Sequence, residues 1–214
     1  MILAFTAALA IVVQDHAALR AAPRAGGTEL ERLWQGDVLE VRGEQAGYLK
    51  VYDHRHERGG YVREDVGRRI ELTETSASDL LAVLRFLRDS PGSEALGISY
   101  GAAYLKAAPA QAITAEPFDA IAQMAERLAD RASGAANLDP NLAAHLEVVE
   151  QFGIHLRSVE RNGRVRMCYD GELFHRVLSF PGAQAEARAR AVLGLTRSDC
   201  IDSALARTAR ISTE

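Results

Sequence analysis

The chain reads as an α+β protein: a small N-terminal β-barrel followed by an α-helical domain that contains one β-hairpin. Three observations predict this. Short β-rich runs separated by Gly, Pro and charged clusters crowd residues 11–72. A polar, Ser/Thr-rich joint spans residues 73–78, and from Asp79 onward the apolar spacing changes to that of helices. With 214 residues, 48% of them hydrophobic, the chain has the length and composition to bury a good core.

The first element is ambiguous. Residues 2–13 form an apolar stretch of signal-peptide size that carries Ala8-Leu9-Ala10, a small-x-small pattern, but no positive residue precedes it. Residues 1–10 are therefore read either as a signal-peptide remnant or as a first strand, and the stretch is too short to span a bilayer. Strands are expected at residues 10–13, 38–42, 48–53 and 60–63.

The helical domain is assigned residues 79–214. Leu80, Leu81, Leu84 and Leu87 share one face of a first helix, with Ser78 as its cap and Pro91-Gly92 as its stop. Further helices are expected over 93–108 and 114–132. Asp139 and Pro140 supply the cap and first-turn proline of another, which runs to Phe152 and breaks at Gly153. Residues 154–169 then alternate around Asn162-Gly163, the strongest short hairpin signal. That turn sets Arg157 opposite Cys168 and Val159 opposite Arg166. Ile154, Leu156, Val165, Met167 and Tyr169 face the core; Arg157, Val159, Arg161, Arg164, Arg166 and Cys168 face away. A helix capped by Asp170 and a last helix over 183–195 complete the domain.

Charge excludes one class of function. Twenty-five basic residues meet 29 acidic ones, and both halves of the chain are slightly acidic, so neither is a basic nucleic-acid-binding domain. No phosphate loop, dinucleotide glycine pattern or Gly-x-Ser-x-Gly elbow occurs, and no cofactor is expected.

Four pieces in order carry a family resemblance: Ala18-Leu19-Arg20-Ala21-Ala22-Pro23, then Leu33-Trp34-Gln35-Gly36-Asp37-Val38-Leu39-Glu40-Val41, then Gly47-Tyr48-Leu49-Lys50-Val51, then Gly60-Tyr61-Val62. Together they resemble the bacterial SH3-like (SH3b) domain over residues 11–70. Tyr48 stands where the family commonly has tryptophan, and the charged loop at residues 53–59 is longer than the usual turn. The helical part is similar to that of proteobacterial proteins carrying the same barrel. The resemblance implies an SH3-like barrel that binds cell-wall peptides or protein segments.

Candidate chemistry is sparse. Trp34, Tyr48, Tyr52 and Tyr61 fall within the barrel and either line a peptide groove or pack its core. Arg157, Arg161, Arg164 and Arg166 form either an anion- or acid-binding face or a solvated one. Asp53, His54, His56 and Glu57 can ligate metals, but their spacing matches neither a four-ligand structural zinc site nor a three-ligand catalytic one, so no metal is assigned. Cys168 as a thiol nucleophile, with His145, His155 or His175 as base, is the hydrolase alternative. Its strand position argues instead for a Cys168–Cys200 disulfide, with the segment 196–203 folding back across the hairpin.

The expected function is that of an exported, periplasmic, non-enzymatic binding or scaffold protein that engages a cell-wall peptide or envelope protein. A cell-wall hydrolase and a cytoplasmic regulatory protein are the alternatives.

Overall fold

The computed structural model describes residues 8–133, 139–161 and 164–200. Residues 1–7, the turn residues Asn162 and Gly163, the side chains of Arg161 and Arg164, and the part of the expected fold-back loop beyond Cys200 lie outside the described residues.

Seven strands come first: β1 (Ala8–Val12), β2 (Ala17–Arg20), β3 (Glu29–Leu33), β4 (Val38–Gln45), β5 (Tyr48–Asp53), β6 (Arg58–Arg63) and β7 (Gly67–Glu71). They form one antiparallel sheet in the order β3-β2-β6-β5-β4-β1-β7. This corrects the expected fold class, because the strands do not close into a barrel. The architecture is mixed α/β: an open sheet, then helices, then a small two-stranded sheet. Closure would require β7 to reach β3. Instead β7 pairs along the whole of β1, from Ala8 opposite Glu71 to Val12 opposite Gly67. The outer side of that edge is taken by helices, since Ile11 and Ile70 pack in one cluster with Leu80, Leu87, Leu96 and Tyr100. Residues 8–10 are thus part of a strand paired on both sides.

Alternation assigns the two faces of the sheet. Ala10, Val12, Ala17, Leu19, Leu33, Leu39, Leu49, Val51, Val62 and Val66 form a single buried cluster on the inner face. At Gly60 a Cβ would lie 2.8 Å from the Leu19 side chain, so this face is tightly packed where β6 crosses β2.

Six helices follow among the described residues: α1 (Ala77–Arg88), α2 (Glu94–Ala107), α3 (Ala115–Ser133), α4 (Pro140–Glu150), α5 (Glu172–Ser179) and α6 (Ala185–Leu195). Helix α2 is buried on nearly every side. Its small residues let α3 approach, for a Cβ at Gly97 would meet Met124 Sδ at 2.3 Å and one at Gly101 would meet Ile121 Cγ1 at 2.6 Å. At the start of α4 the Asp139 side chain accepts from the Asn141 N–H at 3.1 Å, ahead of Pro140.

At the N-terminus of α2 the Glu94 side chain is fully buried. It accepts from the Gly92 N–H at 3.0 Å, from Arg127 Nε at 2.5 Å and from Arg131 Nη1. Burial alone pushes this carboxyl up, but the Gly92 N–H and Arg127 hold it below its ordinary value.

Polar contacts among the described residues help to seat the sheet on the helices. Ser99 Oγ donates to the Gly36 carbonyl at 2.5 Å, in a β3–β4 turn where Gly36 has φ +96° and a Cβ would collide with the Ala95 carbonyl. His145 Nε2 lies 2.7 Å from Asp15 Oδ1, which ties α4 to the β1–β2 connection.

The hairpin strands are β8 (Leu156–Arg161) and β9 (Arg164–Tyr169). Arg157 lies opposite Cys168, Val159 opposite Arg166 and Arg161 opposite Arg164, the pairing that an Asn162–Gly163 turn requires. Of the residues expected to face the core, Ile154 and Tyr169 are buried and Leu156 and Met167 half-buried. Val165 is 60% exposed. The hairpin docks at its base, where Ser133 Oγ at the end of α3 accepts from the Met167 N–H at 2.8 Å, so its outer end reaches solvent.

Candidate functional site

Strands β4, β5 and β6 carry the sheet's uncovered outer face. Tyr48, Lys50 and Tyr52 alternate onto it from β5; register adds Tyr61 opposite Lys50 and Arg20 opposite Tyr61. Tyr52 and Tyr61 are half-buried and Lys50 is exposed. Gly59 lies opposite Tyr52, and the tyrosine ring sits 3.6 Å from where a Gly59 Cβ would be. Arg42 stacks over the same ring with its Cζ 3.9 Å from the centroid, and the His54 ring meets it edge-on at 5.0 Å. The result is an aromatic surface of mixed charge: Glu40, opposite Tyr52, accepts from Arg42 at 3.0 Å and lies 2.8 Å from His54, Lys50 adds an exposed cation, and the Tyr61 hydroxyl sits at the margin.

The four barrel aromatics are not brought together. Tyr48 is on the same face but only 8% exposed. Trp34 belongs to the β3–β4 turn, where its ring lies 4.6 Å from that of His16 and packs against the helical core. Only Tyr52 and Tyr61 are left to present ring surface.

Two of the hairpin arginines, Arg157 and Arg166, have described side chains, and both are engaged within the fold. Arg166 pairs with Asp130 and Asp199, each at 2.7 Å, and Arg157 donates to the Cys200 carbonyl. Arg197, which the sequence did not single out, binds Asp130 at 2.9 Å and Glu126 at 3.1 Å; the Asp130 hydrogen bond is the main cause of its raised pKa. This network straps the segment after α6 across the hairpin. Beneath it Cys168 and Cys200 are disulfide-bonded, with Cα atoms 5.6 Å apart and both residues buried. With its sulfur in that bond, Cys168 has no thiol to act as a nucleophile. None of His145, His155 and His175 is placed against it by a hydrogen bond among those described.

A cleft of about 420 Å³ opens between α1, α3 and α6, lined by Arg85, Arg88, Glu116, Asp119 and Arg190 among others. Its charges satisfy one another. Arg85 holds Glu116 through two bonds of 2.6 and 2.7 Å, Arg190 holds Asp119 at 2.6 Å, and Arg88 turns to Asp89 at 2.8 Å. These guanidinium groups are committed to the fold.

The loop after β5 behaves otherwise. Asp53 Oδ1 accepts from the backbone N–H of Arg55 at 2.8 Å, which turns the chain so that His56 folds back over the end of the strand. His56 Nδ1 then lies 2.8 Å from Asp53 Oδ2 and 2.6 Å from Glu31 Oε1 of β3. His54 points elsewhere, to Glu40 at 2.8 Å. Nearby, burial first and the Asp53 charge after it raise the Asp37 carboxyl, against the lowering effects of the Trp34 N–H, Arg55 and His56. Sequence reasoning reached Asp53 and His56 but missed Glu31. The available signal was its place in Glu29–Leu33, where alternation from Leu33 puts an acid on the inner face.

No helix among the described residues is long and apolar enough to cross a membrane. No family model, curated protein or solved structure matches the chain.

Proposed function

We propose that the protein is an exported, non-catalytic binding module whose outer sheet face, over β4, β5 and β6, engages a peptide segment of the cell envelope. The observation that carries this reading is the exposed part of Tyr52 and Tyr61 beside Lys50, on strands whose outer face lies away from the cluster that α1 and α2 form with β1 and β7. Tyrosine offers a rigid apolar face at little entropic cost together with a hydroxyl for peptide groups, and the exposed Lys50 suits a peptide carboxylate. The Gly60-Tyr61-Val62 segment of β6, which resembles that of bacterial SH3-like domains, supports the same use of this surface. The Cys168–Cys200 bond supports an oxidising compartment, and we place the protein in the periplasm.

Purified peptidoglycan sacculi test the reading. The wild-type chain should sediment with them, and the double variant Tyr52→Ala, Tyr61→Ala should stay in solution while keeping the wild-type unfolding midpoint. Equal sedimentation of a folded double variant, or none by the wild type, refutes the envelope-peptide assignment.

A further inference from the structure

The inner face of the sheet breaks its own pattern at one end. Where Leu19, Leu33, Leu49 and Val51 are apolar, the next inward positions are Glu31 on β3 and Asp53 on β5. Both side chains are largely removed from water, Asp53 to 7% exposure and Glu31 to 16%. Glu31 Oε2 is a buried atom without any hydrogen-bond partner. A buried anionic oxygen left unpaired is costly, and its retention next to an imidazole and a second carboxylate points to a ligand of opposite charge.

The histidine makes the same point independently. Arg55 Nε donates to His56 Nε2 at 3.2 Å, so Nε2 is the acceptor and the ring's proton sits on Nδ1. That one proton faces two carboxylate oxygens, at 2.6 and 2.8 Å. It can be donated fully to only one of them. The three groups together carry two negative charges and share a single proton.

The geometry points to a divalent transition-metal site, with Glu31, Asp53 Oδ2 and His56 Nδ1 as its three protein ligands. One ligand atom from each residue lies within 4.8 Å of the others. Ligand distances of about 2.0–2.2 Å to a central ion put neighbouring donors about 3–3.5 Å apart, so on binding the oxygens draw back from Nδ1, and the two carboxylate oxygens, which lie within 4.8 Å of each other, adjust to the same spacing. Two carboxylates and a neutral imidazole balance the charge of a divalent ion. The nitrogen donor selects a borderline ion such as Zn2+ over Ca2+ or Mg2+. His56 is 39% exposed on its side chain, which leaves the outer coordination positions to water. On binding, the ring proton moves from Nδ1 to Nε2 and the exposed Arg55 releases that nitrogen. The site is separate from the outer tyrosine face and does not depend on its function.

Equilibrium dialysis of the tag-free, oxidised full chain against Zn2+ tests the assignment, using wild type, Glu31→Gln, His56→Asn and His54→Asn. One ion per chain is expected, with affinity at least about tenfold weaker in the Glu31 and His56 variants and unchanged in the His54 variant. Long-range 15N–1H spectra should show the His56 ring passing to the tautomer protonated at Nε2 as Zn2+ is added. No retention by the wild type, equal retention by folded Glu31→Gln, or loss in His54→Asn overturns the site. These outcomes are read without sacculi, so they leave the peptide-binding reading untouched.

Discussion

Two carboxylates, the fully buried Glu94 at the start of α2 and the half-buried Glu31 in β3, sit beside basic groups yet are treated in opposite ways. Glu94 has both oxygens engaged, by the Gly92 N–H and two arginines. Glu31 pairs through Oε1 with His56 and leaves Oε2 without a hydrogen bond. A buried charge whose hydrogen-bonding capacity is met belongs to the architecture; one left short at a solvent-facing mouth has room for something more.

The strongest way to break the comparison is Glu94→Gln. Leaving Arg127 and Arg131 without their anion should cost about 3–5 kcal/mol of stability in denaturant titrations. The pH dependence follows from the lowered pKa of this group. Its contribution is complete above the ordinary glutamate value and disappears as pH falls through the lowered native value. The wild type should therefore lose stability below about pH 5 more steeply than Glu94→Gln does. Parallel acid-unfolding curves would show that the Glu94 cluster is not a structural ion network.

Next in size is the disulfide. Cys168→Ser with Cys200→Ser should lower stability by roughly 3–4 kcal/mol for the 32-residue separation, by the chain-entropy estimate. Loss of the bond also releases the Arg166–Asp199 and Arg157–Cys200 contacts, so protection of β9 amides against hydrogen exchange should fall first. An unchanged unfolding midpoint would remove the bond from the structural ledger.

The smallest effect sharpens the contrast most. Glu31→Gln, measured in chelator, should change stability by less than about 1 kcal/mol, because it removes a charge that the fold does not satisfy. A loss as large as that of Glu94→Gln would place Glu31 with the structural carboxylates after all.

Much of the local structure was legible. The leucine spacing of residues 79–88, the Asp139-Pro140 cap and the alternation around Asn162-Gly163 each encode one element, because those signals act within a few residues of themselves. The site was half legible. Asp53 and His56 are three residues apart and were weighed together, whereas Glu31 is 22 residues before Asp53 and joins them only because β2 and β6 set β3 in the same sheet. Val165, apolar and correctly alternating, is exposed because the hairpin docks at its base through Ser133 and Met167.

By itself, then, the sequence determined the helices, the strands β1, β4, β5 and β6 and the register of the hairpin, since these depend on period and turn chemistry, whereas β2, β3 and β7 carry no such clear local pattern. It also marked Cys168 as a residue needing cover. Tertiary structure alone decided whether the sheet closed. The strand pattern suits a barrel or an open sheet equally, and the outcome turned on β7 pairing with β1 while α1 and α2 packed against Ile11 and Ile70. It also decided which polar side chains are answered and which are not. Satisfaction of a charge depends on distances between strands and helices remote in the chain, and no local pattern contains those distances.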